Sequence, residues 1–288
     1  MMRIAVLGAT GVVGRHVVSR LHEHGYEVRA VVVAEAEVEA LRRRGVDAMQ
    51  GDIFDLHSVR EAVKGCSAAL HLATAAPRPG HVPNWPLNDR IRREGTANLL
   101  DACRSAGVQR YVQQSLAFLV GGTSDLVDET APLLPATEAT ASAIDAERLV
   151  AASGLDWVVL RDGALYGPGT GREEHWAALA HAGELAFPGD GSDHISLIHV
   201  ADLAECFVVA CERAPSGSII SAVDDQPTTY RELFTYIALL EGATVPTSGG
   251  ASNFPSFRVT NSKARKDLGW QPFYRSYRSG LAWVLAAN

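Results

Sequence analysis

Gly8-Ala9-Thr10-Gly11-Val12-Val13-Gly14 is the stretch that decides the fold of this 288-residue chain. An apolar run, Ile4–Leu7, precedes it, and Val12–His24 follows with valines and leucine returning at helical spacing. Strand, glycine turn, helix is the context in which three glycines have separate steric tasks. The backbone must turn sharply, a pyrophosphate must come close to main-chain N–H groups, and the helix must pack tightly on the strand. The helix N-terminus adds a partial positive charge facing the phosphate. Met2–Val33 is therefore read as a dinucleotide-binding βαβ unit, with contacts expected from Gly8, Thr10, Gly11, Val12, Val13 and Gly14.

Outward from this unit, buried-strand runs alternate with amphipathic helices, as in a parallel sheet covered on both faces. The expected strands are Ile4–Leu7, Val28–Val33, Ala48–Gln50, Ala69–Leu72, Arg110–Gln114 and Trp157–Leu160. The expected helices are Val12–His24, Glu35–Arg44, Ser58–Val63, Arg90–Ala106 and Thr140–Ser153. Gly25, Gly45, Gly65, Gly107 and Gly154 stand where left-handed helix C-caps belong. Right-handed crossovers would order these strands into a doubly wound sheet. After Arg161 turns multiply, with a helix expected at Glu173–Ala182, a strand at Ile195–His199, a helix at Ala201–Ala210 and a strand at Ser218–Val223 returning to the sheet. Residues 1–161 are thus expected to form the nucleotide-binding core, and residues 162–288 mainly a substrate-binding lobe.

Composition bounds the function. Hydrophobic residues make up 47% and charged residues 20%, enough for a large core. A net charge of −7 argues against a general nucleic-acid binder. Arg42-Arg43-Arg44 reads as the solvated end of a helix. The four cysteines, Cys66, Cys103, Cys206 and Cys211, have neither CxxC spacing nor a histidine cluster, and read as buried thiols in a reducing compartment rather than a disulfide or metal site. No apolar run approaches the roughly 20 residues that span a bilayer. No room is left for a signal peptide before the first strand, so a cytoplasmic protein is expected.

The GxxGxxG spacing resembles the extended branch of the short-chain dehydrogenase/reductase family, the sugar-nucleotide epimerases, dehydratases and related reductases. Gly51-Asp52-Ile53 is similar to the adenine-reading segment of that family, and His71-Leu72-Ala73-Thr74 to its fourth-strand segment. Glu94–Leu100, Leu165-Tyr166-Gly167-Pro168-Gly169, Ile198–Ala204 and Lys263–Pro272 resemble further landmarks. The resemblance covers nearly the whole chain. It implies a Rossmann sheet with a smaller C-terminal lobe and NADP or NAD as cofactor. It also implies contacts from Asp52, Ile53, Leu72, Ala73 and Thr74, a small-molecule substrate, and a homodimer packed through helices. At the ribose-reading position Val33 can serve neither NAD hydroxyls nor an NADP phosphate. Glu35 suggests NAD; Arg15, Arg29 and Arg42-Arg43-Arg44 suggest NADP, or are surface charges.

The family's proton-transfer chemistry is missing. Its members pair a tyrosine with a lysine in YxxxK, because an unperturbed phenol near pKa 10 is a poor base at neutral pH. Aligning Ala146-Glu147 with the family helix puts Ala139 at the tyrosine position and Ala143 at the lysine position, and Thr137 through Ala146 contains neither residue type. The usual catalytic hydroxyl aligns with Leu116, leaving Ser115 one residue away as a candidate, and Arg92 stands where asparagine is usual. Tyr166, at the carboxyl edge of the sheet, is either a replacement acid or a packing residue. His81, His175 and Asp162 are expected in loops near the cleft. His199 and Asp202 look structural, the aspartate as a helix cap, and His71 reads as a satisfied, partly buried histidine. Three readings stay open. The chain is an NAD(P)-dependent reductase or epimerase with a non-standard acid–base group or none, a non-redox dehydratase, isomerase or cyclase on the same fold, or a dinucleotide-sensing regulator. The glycine loop and Asp52 favour a cofactor-binding protein, and Trp176, Phe187 and Phe254 favour a small-molecule pocket.

Overall fold

The computed structural model describes residues 2–76, 79–250 and 255–286. Its first half runs β1 (Arg3–Leu7), α1 (Val12–Glu23), β2 (Glu27–Val32), α2 (Glu35–Arg43), β3 (Asp47–Gln50), α3 (Leu56–Val63) and β4 (Ala68–His71). Then come α4 (Trp85–Arg90), a π-helical turn at Ile91–Gly95, α5 (Thr96–Ala106), β5 (Arg110–Leu116), α6 (Ala141–Ala151) and β6 (Asp156–Asp162). The second half contains β7 (Ala164–Tyr166), α7 (Arg172–His181), β8 (Ala186–Pro188), β9 (His194–Ile195), β10 (Leu197–His199), α8 (Val200–Arg213) and β11 (Ser218–Ala222). It ends with β12 (Thr228–Thr229), α9 (Tyr230–Leu240), β13 (Thr247–Gly250), a second π-turn at Ala264–Leu268 and α10 (Tyr277–Ala286).

Seven strands form one parallel sheet in the order β11-β6-β5-β4-β1-β2-β3. The order reverses between β1 and β4, so a crevice opens beyond their carboxyl ends. Alternation along β1 shows why the sheet is covered twice. Ile4 and Val6 face Val17 and Leu21 of α1 and Phe207 of α8. Ala5 and Leu7 face Val59 and Val63 of α3 and Leu99 and Cys103 of α5. A separate cluster, with Phe118, Trp176, Phe187, Phe234, Phe257 and Tyr277, holds the lobe. The second half also rejoins the first layer, through α8, β11 and the segment of Ala264, Leu268 and Trp270.

The expected strands and helices are present, and Gly25, Gly45, Gly65, Gly107 and Gly154 all take positive φ. Three differences have physical causes. The helix expected from Arg90 begins a turn earlier, where the Asn84 side chain accepts from the Leu87 amide, and its middle winds as a π-turn. The strand expected at Ile195–His199 breaks at Ser196, whose hydroxyl is shared by the Phe257 carbonyl and the Val259 amide and whose carbonyl accepts from Ala164. Strands β5 and β6 run two residues further than expected, with Ser115 opposite Arg161. Their ends look polar in sequence because the partner that hides them lies on α6. Arg161 reaches Glu147 at 2.9 and 2.7 Å, Ser115 donates to the same carboxylate at 2.6 Å, and all three are buried.

Removing one partner of this network strands a buried charge. Glu147→Ala is expected to lower unfolding stability by about 3–5 kcal/mol in urea titration, and Glu94→Ala, which breaks a solvent-exposed pair, to lower it far less.

Candidate functional site

The glycine loop is built for close approach. Gly8 has φ +83°, and a Cβ there would lie 2.6 Å from the Ala73 amide nitrogen. A Cβ on Gly14 would collide with the Gly8 carbonyl, so α1 crosses the turn at a separation only glycine permits. Gly11 is the N-cap of α1 and offers no side chain, which leaves the first-turn amides of Val12, Val13 and Gly14 uncapped by any side chain. Thr10 is exposed at the rim. Leu72 and Ala73 continue from β4 beside Gly8, with the Leu72 amide bonded to the Leu7 carbonyl at 2.9 Å, and Thr74 Oγ1 donates to Asn88 Oδ1 at 2.9 Å. After β3, exposed Asp52 accepts from the Phe54 amide, and buried Ile53 packs under Gly95 while its carbonyl accepts from Asn98 Nδ2 at 3.0 Å. A cradle that side chains would fill, an uncapped helix terminus and an exposed carboxylate beyond it fit a dinucleotide.

At the end of β2, Val33 is exposed, its carbonyl accepting from Gln50 Nε2, and Glu35 in the first turn of α2 is the nearest acid along the chain. Arg42 and Arg43 lie in the last turn of α2, and Arg29 is bound to Asp47 and the carbonyls of Ala62 and Lys64. Arg15 sits on the first turn of α1 against the Pro168 carbonyl.

The two hydroxyls proposed from sequence are both buried and bonded within the protein. Ser115 is committed to Glu147 in the buried network. Tyr166 is fully buried, donates to the Ser276 carbonyl at 3.3 Å and packs edge-on against His199, and burial pushes its phenol far up. His199 is the N-cap of α8, its Nδ1 accepting from the Ala201 amide, while Asp202 accepts from the Phe273 and Tyr274 amides instead of capping that helix. His71 is buried, with the Ile91 backbone beside it, and burial holds it neutral, pushed down to about 4. His175 lies on α7 and Asp162 on β6, not in loops, and His81 is exposed.

What occupies the place of the missing pair is a different cluster. Ala139 lies in the turn before α6, and Ala143 is packed against Leu119 and Ile144. Arg92, on the π-turn, extends into this space and donates through Nη1 to the Ala139 carbonyl at 2.9 Å and to Ser142 Oγ at 3.5 Å. Asp162, buried at the end of β6, accepts from Gln114 Nε2 at 3.2 Å. Burial raises its carboxyl to about 7 despite that bond and the nearby Arg92 charge. Ala139 also lines a cavity of about 590 Å³ with Trp85, Phe118, Leu119, Leu134, Pro135 and Pro255. Apolar side chains dominate its wall. Trp176 and Phe187 belong instead to the lobe core, and Phe254 lies outside the described residues.

Residues 8–208 match the NAD(P)H-binding family. The chain belongs to that family. It is 34% identical over 306 aligned residues to a 3-diazoavenalumate denitrifying reductase of a Streptomyces species, covering 97% of this chain and 99% of that protein. It is 29% identical to the UDP-glucose 4-epimerase of Mycolicibacterium smegmatis, covering 94% of each. Among solved structures, a dTDP-glucose 4,6-dehydratase double mutant of Streptomyces venezuelae with NAD bound superposes with a TM-score of 0.86 at 23% identity, over 99% of this chain and 96% of that one. The Thermotoga maritima UDP-glucose 4-epimerase superposes with a TM-score of 0.82 at 23% identity, over 99% and 98%. The extended short-chain dehydrogenase/reductase fold and the NAD(P) cofactor class expected from sequence are therefore established. As a member of the NAD(P)H-binding family the chain keeps the glycine cradle intact, and residues 137–146 contain neither tyrosine nor lysine.

Gly11→Glu puts a negative charge at the N-terminus of α1, where the pyrophosphate belongs. The expected outcome is loss of measurable NADH and NADPH binding in calorimetry, with cooperative thermal unfolding retained. Unchanged affinity for both would remove the dinucleotide from this loop.

Proposed function

We propose that this protein is an NAD(P)H-dependent reductase acting on a planar, largely apolar molecule, and that its hydride acceptor needs no proton from the enzyme. One observation supports the reading: the position where the family resemblance puts the acid is filled by two alanines and a guanidinium, and the two hydroxyls singled out from sequence, Ser115 and Tyr166, are bonded to buried partners. Carbonyl reduction without a positioned acid forfeits about a hundred- to ten-thousand-fold in rate. A carbon bearing a diazonium group has no such requirement. Bound NAD(P)H supplies a hydride; the C–H bond forms with the hydride pair, the C–N bond breaks with its pair leaving on nitrogen, and N₂ departs. Charge balances and no proton moves. The 34%-identical relative named for reductive denitrification of a diazo compound supports this class over sugar-nucleotide chemistry.

The chain's own residues then have three tasks. The glycine loop and the first turn of α1 hold the pyrophosphate, with Asp52 and Ile53 at the adenosine end and Leu72, Ala73 and Thr74 along the crevice floor. Trp85, Phe118, Leu134 and Pro135 exclude water around a flat substrate, which protects a group prone to hydrolysis. Residues 1–161 serve mainly the cofactor and 162–288 mainly the lobe. The reading includes a cytoplasmic setting, supported by four free, buried thiols, and a homodimer as the working assembly, which rests on family resemblance. No helix among the described residues is long and apolar enough to cross a membrane.

The test is turnover of an ortho-diazonium phenolate with NADH and NADPH, following N₂ release and product deuterium. Deuterium carried on C4 of the nicotinamide is expected at the carbon that lost nitrogen. Slow reduction of this probe beside fast reduction of simple ketones would overturn the reading. The double replacement Ala139→Tyr with Ala143→Lys is expected to give no gain with the probe, because Ala143 is packed against Leu119 and Ile144 and a lysine there overfills the site.

A further inference from the structure

Three arginines follow one another closely where α4 passes into the π-turn, and they are not used alike. Arg90 pairs with Glu94 at 2.6 Å, and Arg93 with Asp145 at 2.8 Å and Asp89 at 3.2 Å. Arg92 points inward and, among the described residues, has no carboxylate within ion-pair distance. Its two hydrogen-bond partners are neutral, a carbonyl and a hydroxyl, and both are met by Nη1. Nε and Nη2 have no partner among the described residues, yet they are not sealed away as buried orphans. Burial disfavours the guanidinium charge without removing it, since arginine does not deprotonate in proteins. A half-desolvated cation with two spare donors, beside the Ala139 wall of an apolar cavity, is an incomplete ion pair.

We propose that Arg92 is the anion-binding residue of this site, and that its free donors take an oxyanion of the substrate conjugated with the carbon that receives hydride. The proposal rests on the reductase reading and adds the feature that a planar, apolar pocket by itself lacks. When hydride adds to a quinone-diazide-type acceptor, negative charge collects on the conjugated oxygen as N₂ leaves. A fixed guanidinium stabilises that charge without giving up a proton. This is the electrostatic half of what the family's Tyr-Lys pair does, delivered from the π-turn instead of from α6. Of the carboxylates around Arg92, Asp89 is paired with Arg93, Glu138 lines the same cavity, and Asp162 bonds to Gln114. Asp162 is not within ion-pair distance of the guanidinium, but with its carboxyl pushed up to about 7 it adds a nearby negative charge at pH 8.5 that a bound oxyanion must outbid. Neutral His71 adds no charge of its own.

The experiment compares two flat probes that differ by one methyl group and the charge, 4-nitrophenolate and 4-nitroanisole, binding at pH 8.5 to the protein saturated with NADP⁺. Arg92→Gln is expected to weaken phenolate binding about ten- to a hundred-fold and to leave anisole affinity within about two-fold. Arg92→Lys keeps the charge and is expected to recover phenolate affinity to within about ten-fold of the unsubstituted protein. Ser142→Ala, which removes only the 3.5 Å contact, is expected to change neither. Equal losses for both probes, no loss in Arg92→Gln, or a lysine variant as poor as glutamine would each overturn the assignment. The readout is separate from the reductase reading. Phenolate binding that depends on Arg92 without diazonium reduction would fail that reading alone, and diazonium reduction indifferent to Arg92 would fail this one alone.

Discussion

The buried carboxylate of Glu147 is the constraint on which the rest of the cleft depends. It brings α6 onto the ends of β5 and β6 by accepting from Arg161 twice and from Ser115 once, and so fixes where Ala139 and Ala143 stand. Taking two charges out of water costs several kcal/mol per ion, and the arrangement persists because every oxygen of the carboxylate is bonded. A packed apolar substitute could be as stable. What the pair adds is register, since only one placement of the helix satisfies all three groups.

Strand alternation separates this structural network from the reactive one. Ser115 and Arg161, opposite each other across β5 and β6, turn to Glu147. Gln114 and Asp162, of the other parity, meet each other with Arg92 nearby. One face of two neighbouring strands thus carries a closed ion pair and the other an open one. The closed pair resists change, whereas the open one has donors to offer a ligand. The same parity means that a hydroxyl at Ser115 instead of Leu116 lies on the opposite face of the sheet, because a one-residue shift turns the side chain over.

Much of the fold was legible locally. Glycine spacing between a strand and a helix carries its own steric logic, and the recurrent C-cap glycines punctuate the helices at positions the structure keeps. The errors fell where polar residues are buried by distant partners. Ser115 and Arg161 lie beyond the strand ends expected from sequence, and Ser196 broke a strand by bonding the 257–259 segment. Periodicity reports the average environment of a segment and carries no information about a carboxylate thirty residues away. Tyr166 shows the same limit from the other side. Its place at the carboxyl edge of the sheet was readable, but the close approach of Gly280 and the Ser276 carbonyl that bury it come from α10 and the turn before it.

By itself the sequence determined the nucleotide cradle and the doubly wound sheet, because each depends on residue types at short, fixed spacing. Arg92 was visible there only as an unusual residue in a helix. Arg90–Glu94 and Arg93–Asp89 are pairs four residues apart on one helix face, whereas tertiary structure decided that Arg93 also reaches Asp145 and that Arg92 turns inward to the Ala139 carbonyl with no carboxylate within ion-pair distance among the described residues. It also decided that the guanidinium reaches the Ala139 wall of the cavity, because the π-turn, the end of β6 and the start of α6 meet only when the sheet is assembled.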